Sequence, residues 1–100
     1  MLPSTTHLQQ LILSALMNSD RSGREVREVM HRHGVKKSAP AFYQLMSRLE
    51  RDRLVRGWYE AIEVDGHRVK ERRYQILAAG VHAFNAAKSF YKEVVHAGNP

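Results

Sequence analysis

The sequence predicts a mainly α fold with a small β-hairpin. Three observations carry this. Apolar residues recur at helical spacing in four stretches. Between Leu54 and Leu77 the period drops to about two, and strand-favouring Trp58, Tyr59, Ile62, Val64, Val69, Tyr74 and Ile76 gather there. Midway through that ribbon stands Asp65-Gly66, the strongest short-range hairpin signal in the chain.

The first helix starts after Pro3, Ser4, Thr5 and Thr6, which offer caps. Leu8, Leu11, Ile12, Ala15 and Leu16 form one apolar stripe, and Asn18-Ser19-Asp20 is turn chemistry that ends it. The second helix opens on Ser22-Gly23-Arg24-Glu25. This fits a capping box, in which the Ser22 hydroxyl accepts a free backbone N–H and Glu25 reaches back to the cap. The helix runs to about His33 and buries Val26, Val29 and Met30. Gly34 can follow it, because a left-handed backbone there carries no Cβ penalty.

Ser38 caps a third helix, with Pro40 in the first turn where no backbone N–H is missed. Phe42, Leu45, Met46 and Leu49 face inward; Ala41, Gln44, Ser47, Arg48 and Arg51 face outward. A short turn with glycine between two such helices is a helix-turn-helix. The ribbon then folds back at Asp65-Gly66. A two-residue loop would set Glu60 against Glu71, which is unfavourable. A three-residue loop ending at Gly66 would set Glu60 against Lys70 and is the preferred register. Trp58 is expected to pack the ribbon on the helices. A last helix spans Ala78 to about His96, with Val81, Phe84, Ala87, Tyr91 and Val94 on one stripe that Ala83 and Phe90 widen. Gly98-Asn99-Pro100 ends it.

The sum is a winged helix-turn-helix plus a C-terminal dimerisation helix. Residues 1–77 form the DNA-binding domain and residues 78–100 the dimerisation helix, within one compact domain overall. A chain of 100 residues buries one modest core, and oligomerisation is a usual remedy when disulfides and metals are missing. The final helix is too broadly apolar for the few elements that could cover it. A second copy in a symmetric homodimer is the expected cover, with folding back on the first helix as the alternative.

Composition narrows the function. Lys and Arg number 16 against 10 Asp and Glu, for a net charge of +6 that a dimer would double. Positions 32 to 73 hold eleven of the basic and six of the acidic residues. Polyanions are therefore the favoured partners. With no cysteine, disulfides and thiolate zinc sites are excluded. His31 and His33 are two apart on a helix and point in different directions, so no metal and no cofactor is expected. No phosphate-cradling glycine loop, nucleophile elbow or acid–base pair is present, so no enzyme activity is expected. No apolar run nears the ~18 residues of a membrane span. The N-terminus lacks the basic lead of a secretory signal. A cytoplasmic protein with no membrane partner is expected.

Five segments in order resemble the PadR-like family of winged-helix transcriptional regulators, over about Leu11 to Tyr91. Leu11-Ile-Leu-Ser-Ala-Leu16 looks like the family's first-helix run, and Ser22-Gly-Arg-Glu-Val26 is similar to its Gly-Tyr-Glu-Ile opening of helix two. Phe42-Tyr43, Met46 and Leu49-Glu50 resemble the recognition signature Leu-Tyr-x-x-Leu-x-x-Leu-Glu. Leu54-Val55 and Trp58 resemble the first wing strand. Arg72-Arg-Tyr-Gln-Ile-Leu-Ala-Ala-Gly80 is similar to the junction Lys-Tyr-Tyr-x-Leu-Thr-x-x-Gly. Three departures stand out. Pro40-Ala41 replace a Gly-Thr or Gly-Ser, Leu77 replaces a capping Thr, and Arg53 replaces a frequent Gly, so either Arg53 accepts a left-handed backbone or the exit from the helix differs.

The residues and the resemblance together imply a sequence-specific double-stranded DNA-binding transcriptional regulator, a repressor acting as a homodimer. The expected DNA contacts are Lys36, Lys37 and Ser38 at the helix N-terminus, and Tyr43, Gln44, Ser47, Arg48 and Arg51 along the helix. Arg68 and Lys70 follow near the wing tip. Gln44 can pair bidentately with adenine, whereas the cations suit phosphate. Of Arg72 and Arg73, one should face away from DNA, since strand neighbours alternate. The resemblance also implies a small aromatic effector between the first and last helices of the dimer, lined by Leu8, Ile12, Phe84, Phe90 and Tyr91; a filled dimer core is the alternative. A protein-interaction module without specific DNA binding is the alternative function. Single-strand binding ranks last, because only Tyr59 offers an exposed stacking aromatic on the sheet.

Overall fold

The computed structural model describes residues 5–97. Pro3 and Ser4 of the expected first cap, and the Gly98-Asn99-Pro100 stop, lie outside the described residues. The elements run α1 His7–Ala15, β1 Arg21–Ser22, α2 Gly23–Arg32, α3 Ala39–Arg51, β2 Val55–Val64, β3 His67–Ile76 and α4 Ala78–Ala97. The antiparallel sheet has the order β1-β3-β2. Two capping boxes set the first two helices. Thr6 closes one with Gln9, and Ser22 closes the other with Glu25. Ser38 caps α3 by accepting the Ala41 N–H.

The core gathers α1, α2, α3 and the base of the ribbon. Ile12, Leu13, Leu16, Val26, Met30, Phe42, Met46, Leu49, Val55 and Tyr74 are all buried there. Leu13 was not on the predicted stripe. It is buried because α1 lies between α2 and α4 and is covered on two sides. Leu45 and Val29 are only half-buried.

Strand β1 is the one element the sequence did not announce. It is two residues long, pairing Arg21 with Tyr74 and Ser22 with Arg73. A pair this short has no periodicity to read. It ties the head of α2 to the ribbon.

The hairpin corrects the preferred register. Val64 pairs with His67, so the loop is the two-residue Asp65-Gly66, and Glu60 lies opposite Glu71 after all. Lys70 lies opposite Ala61. Asp65 at φ 52° and Gly66 at φ 78° are both left-handed, as a type I′ turn requires. The carboxylate repulsion that argued against this register is offset by Arg73. Its guanidinium lies 3.1 Å from Glu60 and 3.5 Å from Glu71. Trp58 is also corrected. It sits half-buried on the face of the ribbon away from the core, with Arg56 stacked 4.6 Å over its ring.

Arg53 holds φ 59°, so of the two outcomes open for it the left-handed backbone is the one found, and the chain passes there from α3 into β2. The Leu77 N–H then donates to the Leu54 carbonyl at 2.9 Å, which seats the start of α4 on this exit. Gly80 is required there, since a Cβ would overlap the Leu54 carbonyl oxygen. Helix α4 packs on α1, where the Gln10 side-chain amide donates to the Phe84 carbonyl at 2.8 Å. Beyond the buried Ala87, the apolar face emerges: Tyr91, Val94 and Val95 are 51%, 49% and 68% exposed.

Candidate nucleic-acid interface

Helix α3 presents its outer face as the sequence implies. Phe42, Met46 and Leu49 are buried, while Tyr43, Gln44, Ser47, Arg48 and Arg51 are exposed. Together with Pro40 these five line one shallow concavity. Arg48 and Arg51 form no ion pair among the described residues, and their place in the last turn suits the negative end of the helix dipole. The neighbouring Asp52 is the C-cap through its backbone N–H, and its carboxylate pairs with neither arginine.

Individual side chains are constrained to different degrees. The Tyr43 ring meets Phe42 edge-on, with centroids 5.1 Å apart. Its hydroxyl lies against Gly23 at the head of α2, where an added Cβ would come within 3.0 Å of it. Ser47 donates its hydroxyl proton to the Tyr43 carbonyl at 2.9 Å, so it can only accept from a partner. Gln44 is exposed and engaged in no hydrogen bond among the described residues. Lys36 and Lys37 are exposed ahead of the helix; Lys37, Gln44 and Arg48 share a second concavity with His7 and Gln9 of α1.

The ribbon has two unlike faces. The register puts Arg68, Lys70, Arg72 and Tyr74 of β3 on one face with Tyr59, Ala61 and Glu63 of β2. Arg72 on this face reaches α3, with its guanidinium 2.5 Å from the Glu50 carboxylate. The same guanidinium stacks 4.8 Å over Tyr59 and 5.7 Å over Tyr74. Gly57 leaves the room this pair needs, because a Cβ there would lie 2.5 Å from Glu50 Oε1 and 2.8 Å from Arg72 Nη2. Burial works against the Arg72 charge, but the Tyr74 hydroxyl and the Glu50 carboxylate outweigh it and hold its pKa above the ordinary value. Burial pushes the Tyr74 phenol up to about 12, so it stays protonated. Arg68 and Lys70 continue outward along this face, exposed and in no ion pair among the described residues.

Arg73, on the other face, gathers acids. Its guanidinium lies 3.1 Å from Asp20, 3.1 Å from Glu60, 3.5 Å from Glu71 and 3.8 Å from Glu25. Arg72 and Arg73 thus do point to opposite faces, and both are bound within the fold. The outer half of the Arg73 face is apolar, with Val64 and Val69 46% and 41% exposed.

Of the expected effector-lining residues, Ile12 is fully buried inside the chain's own core. Leu8 and Phe84 pack against that core from outside, and Phe90 meets Tyr91 edge-on at 5.3 Å. No group of three or more metal-ligating side chains occurs among the described residues. No helix among them is long and apolar enough to cross a membrane. Sequence reasoning passed over Arg24 and Arg27. Their i, i+3 spacing on α2 was the available signal that they share a face.

No family model and no curated protein matches the sequence. Solved structures do match in fold. A PadR family transcription regulator from Clostridium difficile R20291 superposes with a TM-score of 0.79 at 18% identity, covering 94% of this chain and 96% of that one. A PadR-like transcription factor from Bacteroides fragilis gives 0.74 at 18% identity, with 92% and 86% covered. A PadR-like transcriptional regulator from Bacillus cereus ATCC 14579 gives 0.74 at 22% identity, with 92% and 87% covered. At these identities the likeness is one of fold, and the chain has the winged-helix fold of PadR-family regulators with its C-terminal helix.

Proposed function

We propose that the chain is a sequence-specific double-stranded DNA-binding transcriptional regulator that acts as a homodimeric repressor. One observation carries this: Arg48 and Arg51 of α3 and Arg68 and Lys70 of the wing have no acidic partners among the described residues, and the wing face that bears Arg68 and Lys70 is joined to α3. Arg72, which shares that face, is bound to Glu50 of α3 and makes the joint. Helix α3 would enter a major groove, where Gln44 can read adenine while Arg48 and Arg51 hold phosphates. Lys36 and Lys37 would meet the backbone near the α3 N-terminus, a site that favours phosphate. Tyr43 would touch the backbone through its hydroxyl, and the wing would grip flanking phosphates. The exposed end of α4 supports pairing of two copies, which would set the recognition helices about one helical turn apart on a pseudo-palindrome. A dimer seated on a promoter would repress by occlusion. A small aromatic effector between α1 and α4 of the two copies would change the angle between the recognition helices.

The test is selection from randomised duplex DNA at two salt concentrations, with sequencing of the retained pool. An enriched palindrome whose retention weakens steeply with salt is expected. Weak, unenriched retention would transfer the weight to a protein-interaction module, for which the exposed Val64 and Val69 on the back of the wing speak.

A further inference from the structure

A concavity larger than the two beside α3 lies elsewhere on the surface. It lies between α2 and the chain leading into α3, with a volume of about 810 Å³. Its rim is cationic. Arg24 and Arg27 come from one face of α2, Arg32 from its last turn, and Lys36 and Lys37 from the connection. A single carboxylate, Glu28, stands among these five cations. Arg24 is tied only loosely, 3.6 Å from Glu71 with three-quarters of its side chain exposed. The other four enter no ion pair among the described residues.

The rim is also organised. Arg27 donates to the Lys37 carbonyl at 3.2 Å and lies 5.9 Å over the Phe42 ring. Its guanidinium is thereby held between α2 and the connection, with other N–H groups free to bind an acceptor. The floor differs from the rim: Val35 is half-buried and is backed by the buried Met30. Clustered cations over an apolar floor, in a volume within the ~300–1,000 Å³ of small-molecule sites, define a ligand by its chemistry. A bare duplex backbone would use the cations and leave the floor unused.

We propose that this concavity binds a small molecule carrying clustered phosphate charge on an apolar or aromatic body, a nucleoside triphosphate being the simplest case. The phosphates meet Arg27, Lys36 and Lys37, and the body covers Val35. Lys37 also lines the concavity that holds Gln44 and Arg48, so the site adjoins the face proposed for DNA without depending on it.

The experiment is NMR titration of the full chain, without DNA, using ATP, inorganic tripolyphosphate and adenosine at constant ionic strength. ATP is expected to move the amides of residues 24–37, tripolyphosphate to move the same amides more weakly, and adenosine to move none. Arg27→Gln with Lys37→Gln should weaken ATP binding by about tenfold or more, since charge-assisted contacts are lost. Lys36→Gln with Lys37→Gln tests the same rim if loss of the Arg27 contact with Phe42 unfolds the chain. Lys88→Gln with Lys92→Gln removes equal charge from α4 and should leave ATP binding unchanged. The proposal is overturned if ATP does not bind, if its shifts spread over the whole basic surface, or if the α4 pair weakens binding as much as the rim pair. Because no DNA is present, failure here leaves the DNA-binding role standing, and failure of DNA selection leaves this site standing.

Discussion

Replacing Arg73 with leucine removes the one cation shared by four acids. Asp20 lies before β1, Glu25 on α2, Glu60 on β2 and Glu71 on β3, so the loss is felt where four segments meet. The magnitude follows from exposure. Charge-assisted contacts contribute ~1.5–3 kcal/mol when sheltered and ~0–1 kcal/mol when exposed. Glu71 is 15% exposed but 3.5 Å away; Asp20, Glu25 and Glu60 are 44%, 40% and 51% exposed and count for little each. The sum is roughly 2 kcal/mol, part of it from the repulsion between Glu60 and Glu71 once nothing bridges them. For a domain of this size that lowers Tm by roughly 10 °C. Thermal melts at one fixed protein concentration give the number, because association would otherwise shift it.

The same variant makes a signed pH prediction. In the native chain Glu25 titrates below the ordinary glutamate value. The backbone N–H of Ser22 is the main cause; burial opposes it, and the Ser22 hydroxyl with the charges of Arg73 and Arg21 adds to it. A depressed carboxylate contributes stability that is present above its unfolded value, near 4.5, and is lost as pH falls through the folded value. Without Arg73 the Glu25 carboxyl loses one of the charges that hold it down and takes up a proton more readily. As pH falls from about 4.5 through the folded Glu25 value, the native chain loses the part of this contribution that Arg73 supplies, and the stability gap narrows. High salt should narrow it too, by screening the repulsion between Glu60 and Glu71. A gap below ~0.5 kcal/mol at pH 7, the scale of an ordinary surface substitution, or one indifferent to pH and salt, refutes the argument.

Gly57→Ala should break the Arg72–Glu50 pair by crowding both partners, costing on the order of 1–2 kcal/mol in a denaturant titration. An unaltered midpoint would mean the pair has room to shift. Arg68→Ala with Lys70→Ala should leave the melt unchanged but shallow the salt dependence of DNA binding by about two in log–log slope, as expected for two lost phosphate contacts. An unchanged slope would remove the wing from the interface. Val95→Glu should give a monomer in sedimentation velocity, because it sets a charge in the exposed end of α4; a persisting dimer would place the interface elsewhere. Asp65→Ala should cost about 1 kcal/mol through its left-handed φ, whereas Asp65→Gly should not.

The helices were legible because their signals are local. Ser22 and Glu25 close a capping box within three residues, and Ser38 with Pro40 marks the start of α3 unaided. The exposed face of α3 followed from its period alone. The hairpin register was not legible, although Asp65-Gly66 fixed the turn. Pairwise reasoning weighed Glu60 against Glu71 and could not include a third party on the same face. Arg73 is 13 residues along the chain from Glu60, and its other partners Asp20 and Glu25 come from the turn before β1 and from α2. Strand β1 and the displaced Trp58 escaped for the same reason, since their positions are set by partners distant in sequence. The cationic rim on α2 was visible as Arg24 and Arg27 at helical spacing. Only the fold brings Lys36 and Lys37 across from it.

The placement of the acids explains how a modest excess of charge can be directional. Ten acids oppose 16 cations, yet five of them, Asp20, Glu25, Glu50, Glu60 and Glu71, are taken up by Arg72, Arg73 and Arg24. These contacts join the ribbon to α2 and α3, so negative charge is drawn into the joints of the fold. Arg48, Arg51, Arg68 and Lys70 are left without acidic partners among the described residues. An arrangement with the same composition but acids scattered over α3 would carry the same net charge and a far weaker field at a duplex. Direction of charge and rigidity of the wing are thus consequences of one set of ion pairs. Disturbing Arg72 or Arg73 should therefore weaken DNA binding, although neither side chain is free to touch it.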